Sequence, residues 1–186
     1  YKITDSSPQA LWKTEVKEKQ KFENLHSFLW LSKLDRKNSK IITKDIIKSW
    51  INIFFNYDPN TWEMEITARR IIAWSSNTDI TLENSDKEYR KKFFISLVKQ
   101  SNFLSKNLNS LFYQPSKIIC CAAIILSSMI FQKNDSSYKI AIQELEKIIK
   151  NYFDESGFPK SRNPEEVFVC IKYLILVREW LKEGQK

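Results

Sequence analysis

Glycine is nearly absent: the 186-residue chain holds two, Gly157 and Gly184, where average usage of about 7% would supply roughly a dozen. Glycine provides positive-φ turns and lets backbone approach a phosphate closely, so neither a Rossmann turn nor a P-loop can be written here. Tightly turned β-barrels and sandwiches are disfavoured too, since many hairpins would have to turn without it. The single histidine, His26, removes any metal site needing two imidazoles and any His-His catalytic pair. No metal or cofactor is expected.

Cysteine is also sparse. Cys120 and Cys121 adjoin inside an apolar run and Cys170 stands alone, which is no disulfide framework and no CxxC pair. They read as small buried hydrophobes. The longest apolar stretch, Ile118 to Phe131, is interrupted by Ser127 and Ser128 and is too short to span a bilayer. No signal peptide is legible, and the chain opens at Tyr1 without an initiator Met, as expected of a piece of a longer protein.

What is present favours one folded domain over residues 1–186. Hydrophobic residues make up 42% and aromatics 13%, enough for a core burying roughly 70% of the extended surface. Thirty Lys+Arg against 22 Asp+Glu give a net charge of +8, which favours polyanionic partners. The basic residues are scattered, however, and no window holds five in succession. They alternate with acids along most of the helices expected, so nucleic acid is a disfavoured partner.

Apolar residues recur at three and four residue intervals almost throughout, the mark of amphipathic helices. Seven are expected. The first runs from about Lys19 to Arg36. The second starts at a Thr43 cap and is stopped by Tyr57-Asp58-Pro59. The third begins at Thr61, behind a capping box of Asn60 and Glu63, and reaches Asn77. Ser85 and Glu88 repeat that device before a long helix from Asp86 to Phe112. Pro115 opens a fifth helix to Phe131, apolar on nearly all sides and so the most buried. A sixth, capped by Asp135 or Ser136, ends near Phe153. Asn163-Pro164-Glu165-Glu166 is the clearest start signal, for a seventh helix to about Lys182. The fold class is therefore all-α, an array of antiparallel helical hairpins with one half left open.

Three places concentrate chemistry. In Leu25-His26-Ser27-Phe28-Leu29-Trp30-Leu31, an imidazole could serve as a base or bind a carboxylate, or be an ordinary capped residue. In the stretch from Trp62 to Asn77, Arg69 and Arg70 offer planar forks for a carboxylate or sulfate, and Trp62 an apolar face for a sugar ring. The competing reading puts Trp74 in the core and both arginines on Glu63, Glu65 or Asp79. The third place is the polar loop Asp154 to Pro164, where Lys160 and Arg162 flank a helix N-terminus that could hold an anion or simply be well capped.

At these same places the sequence resembles the heparinase II/III family of polysaccharide lyases. Leu25 to Leu31 match an early Leu-His-x-Phe-x-Trp/Tyr-Leu helix. Trp62, Arg69, Arg70, Ile71, Ile72 and Trp74 match a Trp followed by Arg-(Arg/Leu)-Ile-x-x-Trp. Ser156 to Pro164 match in part an Asp-Gly-Gly-His-x-Ser-Arg-Asn-Pro motif that leads into a helix. Order and spacing agree along nearly the whole chain.

The resemblance implies an incomplete (α/α) toroid, followed in the family by a C-terminal β-sandwich domain that would be a partner for this one. It implies periplasmic or secreted lyases that cleave uronate polysaccharides by β-elimination, which needs the C5 carboxylate neutralised, a base and an acid. Acidic polysaccharide becomes the expected ligand, with Arg69, Arg70 and Arg162 as carboxylate contacts and Trp62 as stacking platform. His26, Asn77 and Asn163 complete the candidate cleft. The chain departs from the family at Tyr113-Gln114-Pro115, where an Asn-His pair is missing, and at Phe158, where the loop histidine is missing. No tyrosine occupies that loop or the start of the last helix. The catalytic residues are thus not identifiable, and the chain alone is expected not to cleave polysaccharide. The alternatives are a basic module binding nucleic acid, and an interaction scaffold that exposes an apolar patch.

Overall fold

The computed structural model describes residues 8–13, 17–131 and 136–184. Eight α-helices occur among them, with three short 3-10 segments and no strand. The chain is all-α and divides into two compact units, Tyr1–Gln100 and Ser101–Lys186.

The first unit contains α1 (Lys19–His26), α2 (Lys40–Phe54), α3 (Met64–Ser76), α4 (Thr78–Thr81) and most of α5 (Lys87–Asn107), with 3-10 segments at Pro8–Lys13 and Leu29–Lys33. Helix α1 stops ten residues short of the expected Arg36 because Phe28 turns left-handed, at φ 57°. That backbone is strained for a bulky residue. It is held because the turn lets both Phe28 and Leu31 bury completely, against an aromatic cluster in which Trp50 and Trp74 meet edge to face at 5.5 Å and Trp74 stacks on Phe93 at 5.3 Å. Such pairs add to the burial of large apolar faces.

The caps differ from expectation for one physical reason, that a carboxylate is a stronger acceptor than an amide or hydroxyl. Asp58 Oδ1 takes the backbone N–H groups of Asn60 and Thr61, at 3.2 and 2.7 Å, and keeps residues 58–61 in a turn. Asn60 therefore caps nothing, and α3 begins at Met64 with Glu63 accepting from Ile66 N at 2.9 Å. Likewise Asp86 receives Tyr89 N at 2.8 Å, while Ser85 donates to Leu82 O at 2.6 Å. Helix α2 starts a turn before Thr43, which is buried in its interior, and α4 is an added single turn after Asn77.

The second unit is built on α6 (Gln114–Ile130), which packs against α7 (Ser136–Tyr152) and α8 (Pro164–Glu183). As the sequence predicts, α6 is the most buried element, closed from Pro115 to Ser128, with proline in its first turn. Asp135, one of the two caps considered for α7, lies outside the described residues. Asn163 caps α8 as expected, its Oδ1 accepting from Glu165 N at 3.0 Å. No described helix is long and apolar enough to cross a membrane.

Candidate functional site

Two of the three sequence-predicted places converge, but inside the protein. Arg70 is fully buried. Its Nε donates to Gln100 Oε1 at 2.7 Å, its Nη1 to the carbonyls of His26 and Thr61 at 2.9 Å each, and its Nη2 to Thr67 Oγ1 at 3.2 Å. The guanidinium lies over the Trp50 ring, 4.0 Å from the centroid, and burial lowers its pKa well below the usual arginine value. None of the three carboxylates considered as its partner touches it. The fork instead clasps α1, α3, α5 and the turn before α3, a structural use of the bidentate geometry read as ligand recognition.

His26 is fully buried beside it. Its Nδ1 accepts from Trp50 Nε1 at 3.1 Å, which puts the ring proton on Nε2. The Phe22 ring lies 4.2 Å from its own. Burial first, and the Arg70 charge second, push its pKa down to about 4, so the ring is neutral near pH 7. Trp62 is 2% exposed and presents no face to a sugar; its Nε1 donates to Phe54 O at 2.9 Å. It also precedes α3, so the two-turn spacing to Arg69 is not a helical one. Asn77 is buried at the end of α3, its Nδ2 donating to Ala73 O at 2.6 Å. Trp74 is core, and Asp79 pairs with Arg36 at 2.8 Å.

Of the candidate residues Trp62, Arg69, Arg70 and Asn77, Arg69 is the one left partly exposed, and it is ion-paired to Glu65. It lines a groove of about 390 Å³ with Lys19, Glu23, Ser27, Glu63, Glu65 and Ile66. Three carboxylates face two cations there, a field that opposes a polyanion.

The third place, in the second unit, is a compact polar hairpin. Asp154 Oδ1 accepts from Ser156 N and Phe158 N at 2.9 and 3.0 Å, and Gly157 turns at φ 79°. Tyr152 O accepts from Lys160 N at 2.9 Å. Arg162 is exposed and paired with Asp154 at 2.6 Å. Asn163 is spent on its cap.

The hairpin and the ends of α6 and α7 build a constellation that sequence reasoning passed over. Glu166, nearly buried on the first turn of α8, accepts from Tyr113 Oη at 3.1 Å and from Tyr152 Oη and Ser161 Oγ. These hydroxyls, Ser161 and Tyr152 foremost, hold its pKa below the usual glutamate value. Burial, and then the glutamate, push Tyr152 up to about 12. The carboxylate stays ionised and the phenol stays protonated across the physiological range. The signal was available only as Glu166 itself, read as a dipole partner for its helix; Tyr113 and Tyr152 are distant in sequence and no spacing rule joins them to it.

Tyr152 also lines a groove of about 270 Å³ with Gln114, Glu144, Lys147, Ile148 and Asn151. Glu144 is gripped by the mostly buried Lys117 at 2.7 Å and loosely by Lys147 at 3.4 Å. Lys147 is 69% exposed at its side chain. Phe112, 89% exposed, sits two residues before Gln114, whose Nε2 donates to its carbonyl at 3.2 Å. Among the described residues no group of three or more His, Cys, Asp or Glu could hold a metal ion.

No protein-family model, no curated protein and no solved structure matches the chain.

Proposed function

We propose that this chain is a saccharide-binding helical module, the toroid-like part of a heparinase II/III-like protein, and that it takes acidic polysaccharide in the groove of its second unit. The observation that supports this best is the lining of that groove. Two side-chain amides, Gln114 and Asn151, a phenol, Tyr152, and an exposed ammonium, Lys147, line a volume of about 270 Å³ together with Ile148 and with Glu144, whose charge is met by Lys117 and Lys147. Amides and phenols match the paired donors and acceptors of sugar hydroxyls, and Lys147 is placed for a uronate carboxylate. Phe112 offers the exposed aromatic face that Trp62 does not. The ligand contact is placed at Lys147, whose ion pair with Glu144 is long at 3.4 Å, whereas Arg69 and Arg162 hold their carboxylates closely and Arg70 is engaged with backbone carbonyls and Gln100. Binding without cleavage is the activity proposed for the chain by itself.

Titration calorimetry with uronate oligosaccharides tests this. Saturable binding that weakens in Asn151→Ala and Lys147→Ala, with no ultraviolet-absorbing unsaturated product, supports it. No heat with any uronate polymer contradicts it.

A second reading, an interaction scaffold, is favoured by the outer face of α8, where Phe168, Ile171 and Ile175 are exposed at 76%, 49% and 47%. Their spacing puts them on one stripe, the surface a β-sandwich neighbour would cover. A dye that fluoresces on exposed apolar surface should bind the chain and lose its signal in Phe168→Ser/Ile175→Ser; a dark wild-type chain argues against the scaffold.

A further inference from the structure

Lys117 breaks two local rules and in doing so sets the charge of the second groove. It lies near the start of α6, at the positive end of the helix dipole, and its side chain is only 11% exposed. A cation placed and buried in this way is costly unless it is paired. Glu144 of α7 pairs it, with Lys117 Nζ donating to Oε1 at 2.7 Å. That bond is the foremost cause holding the Glu144 carboxyl below the usual glutamate range, so it stays ionised. Its other oxygen, Oε2, stands 3.4 Å from Lys147 Nζ, beyond the about 2.7–2.9 Å of a firm ionic hydrogen bond. Glu144 and Lys147 line the groove, and Lys117 does not. Two ammoniums around one carboxylate leave a single positive charge, and Lys147 is the exposed group that presents it.

Resting on the saccharide reading above, we infer that Lys117 is a positioning residue for the ligand's carboxylate: by holding Glu144 from behind, it leaves the charge of Lys147 for one uronate. Glu144 is the internal competitor for that ammonium. Without Lys117, Glu144 would fall to Lys147 alone, and a uronate would meet a pair already neutral. With Lys117 in place the ligand completes the neutralisation of the trio. The groove thereby favours a sugar with a free carboxylate at Lys147 over the same sugar with that group masked as an ester.

The experiment titrates oligogalacturonate, and the same oligosaccharide as its methyl ester, into the full 186-residue chain. Wild type should prefer the acid by about fivefold, the scale of one exposed ion pair. In Lys117→Met the acid should weaken by about fivefold and the preference disappear. Glu144→Gln leaves two ammoniums unopposed and should tighten the acid by about threefold. The double variant Lys117→Met/Glu144→Gln removes the buried pair as a unit, an exchange folded proteins tolerate, and again leaves one positive charge. It should return the acid to within about twofold of wild type, a rescue that a purely structural role for Lys117 would not give. The ester brings no charge and should change by less than about twofold in every chain. Equal affinities of acid and ester in wild type, a weaker acid in Glu144→Gln, a double variant without rescue, or an ester that follows the acid each overturn the inference while leaving saccharide binding intact. If neither form binds, the saccharide reading fails and the inference falls with it.

Discussion

Replacing Arg70 by methionine removes the guanidinium and keeps an apolar stem, so its effect combines the lost hydrogen bonds, the lost contact with Trp50 and the lost buried charge. Four acceptors lose their donor: Gln100 Oε1, His26 O, Thr61 O and Thr67 Oγ1. A buried acceptor left unsatisfied costs about 1–3 kcal/mol, and the lost contact with Trp50 about 2 kcal/mol more when desolvated. Against this stands relief from burying a cation with no carboxylate in contact, since buried charges exchanged for apolar side chains are often neutral or better. The net expectation is a loss of about 4 kcal/mol, a large part of the 5–15 kcal/mol available to a domain of this size. Arg70→Lys keeps the charge but offers no planar fork, and should lose about 2 kcal/mol. Urea unfolding followed by tryptophan fluorescence reads it, because Trp12, Trp30, Trp50, Trp62 and Trp74 all lie in the first unit. Arg70→Met within about 0.5 kcal/mol of wild type, a shift no larger than an ordinary surface substitution gives, would refute the reading of Arg70 as the clasp of that unit.

Further outcomes concern titration, thiols and backbone. His26 has a folded pKa lowered from 6.5 to about 4, so the unfolded chain binds more protons in that window. Its stabilisation is complete above pH 6.5 and drains away as pH falls towards 4, by about 3 kcal/mol; His26→Gln should flatten that slope in unfolding midpoints taken between those limits, and an unchanged slope would put the titration elsewhere. All three cysteines are buried, and burial pushes Cys121 and Cys170 up to about 12 and about 11. A thiol reagent at mildly alkaline pH should be nearly inert toward the native chain and label all three in denaturant; fast native labelling would contradict the packing of α6. Gly157 sits at φ 79° with open space where a Cβ would go, so Gly157→Ala should cost about 1 kcal/mol from backbone strain alone; no loss in thermal unfolding would argue against the left-handed turn.

Much of the architecture was legible because it rests on periodicity and caps. The burial of α6, the proline in its first turn and the Asn163 cap of α8 follow from local chemistry that nothing overrides. The first helix was misread for a tertiary reason: Phe28 accepts a left-handed backbone to bury its ring, and no local pattern reports that. The cap of α3 was misread because Asp58 outcompetes Asn60, a contest between two adjacent acceptors that composition alone does not rank. Arginine and tryptophan at recognition-like spacing serve equally well inside a core, and Arg70 and Trp62 are there. The Glu166 cluster could not be foreseen, because it joins Tyr113, Tyr152 and Ser161 from three separate segments.

The most direct measurement is the affinity of a uronate oligosaccharide for four chains: wild type, Lys147→Glu, Asn151→Ala and Arg69→Ala. Binding in the second groove predicts loss of about tenfold or more in the first two variants, at about 1.4 kcal/mol per tenfold, and an unchanged affinity in Arg69→Ala. Loss confined to Arg69→Ala would return the site to the first unit and contradict the assignment made from the groove's lining.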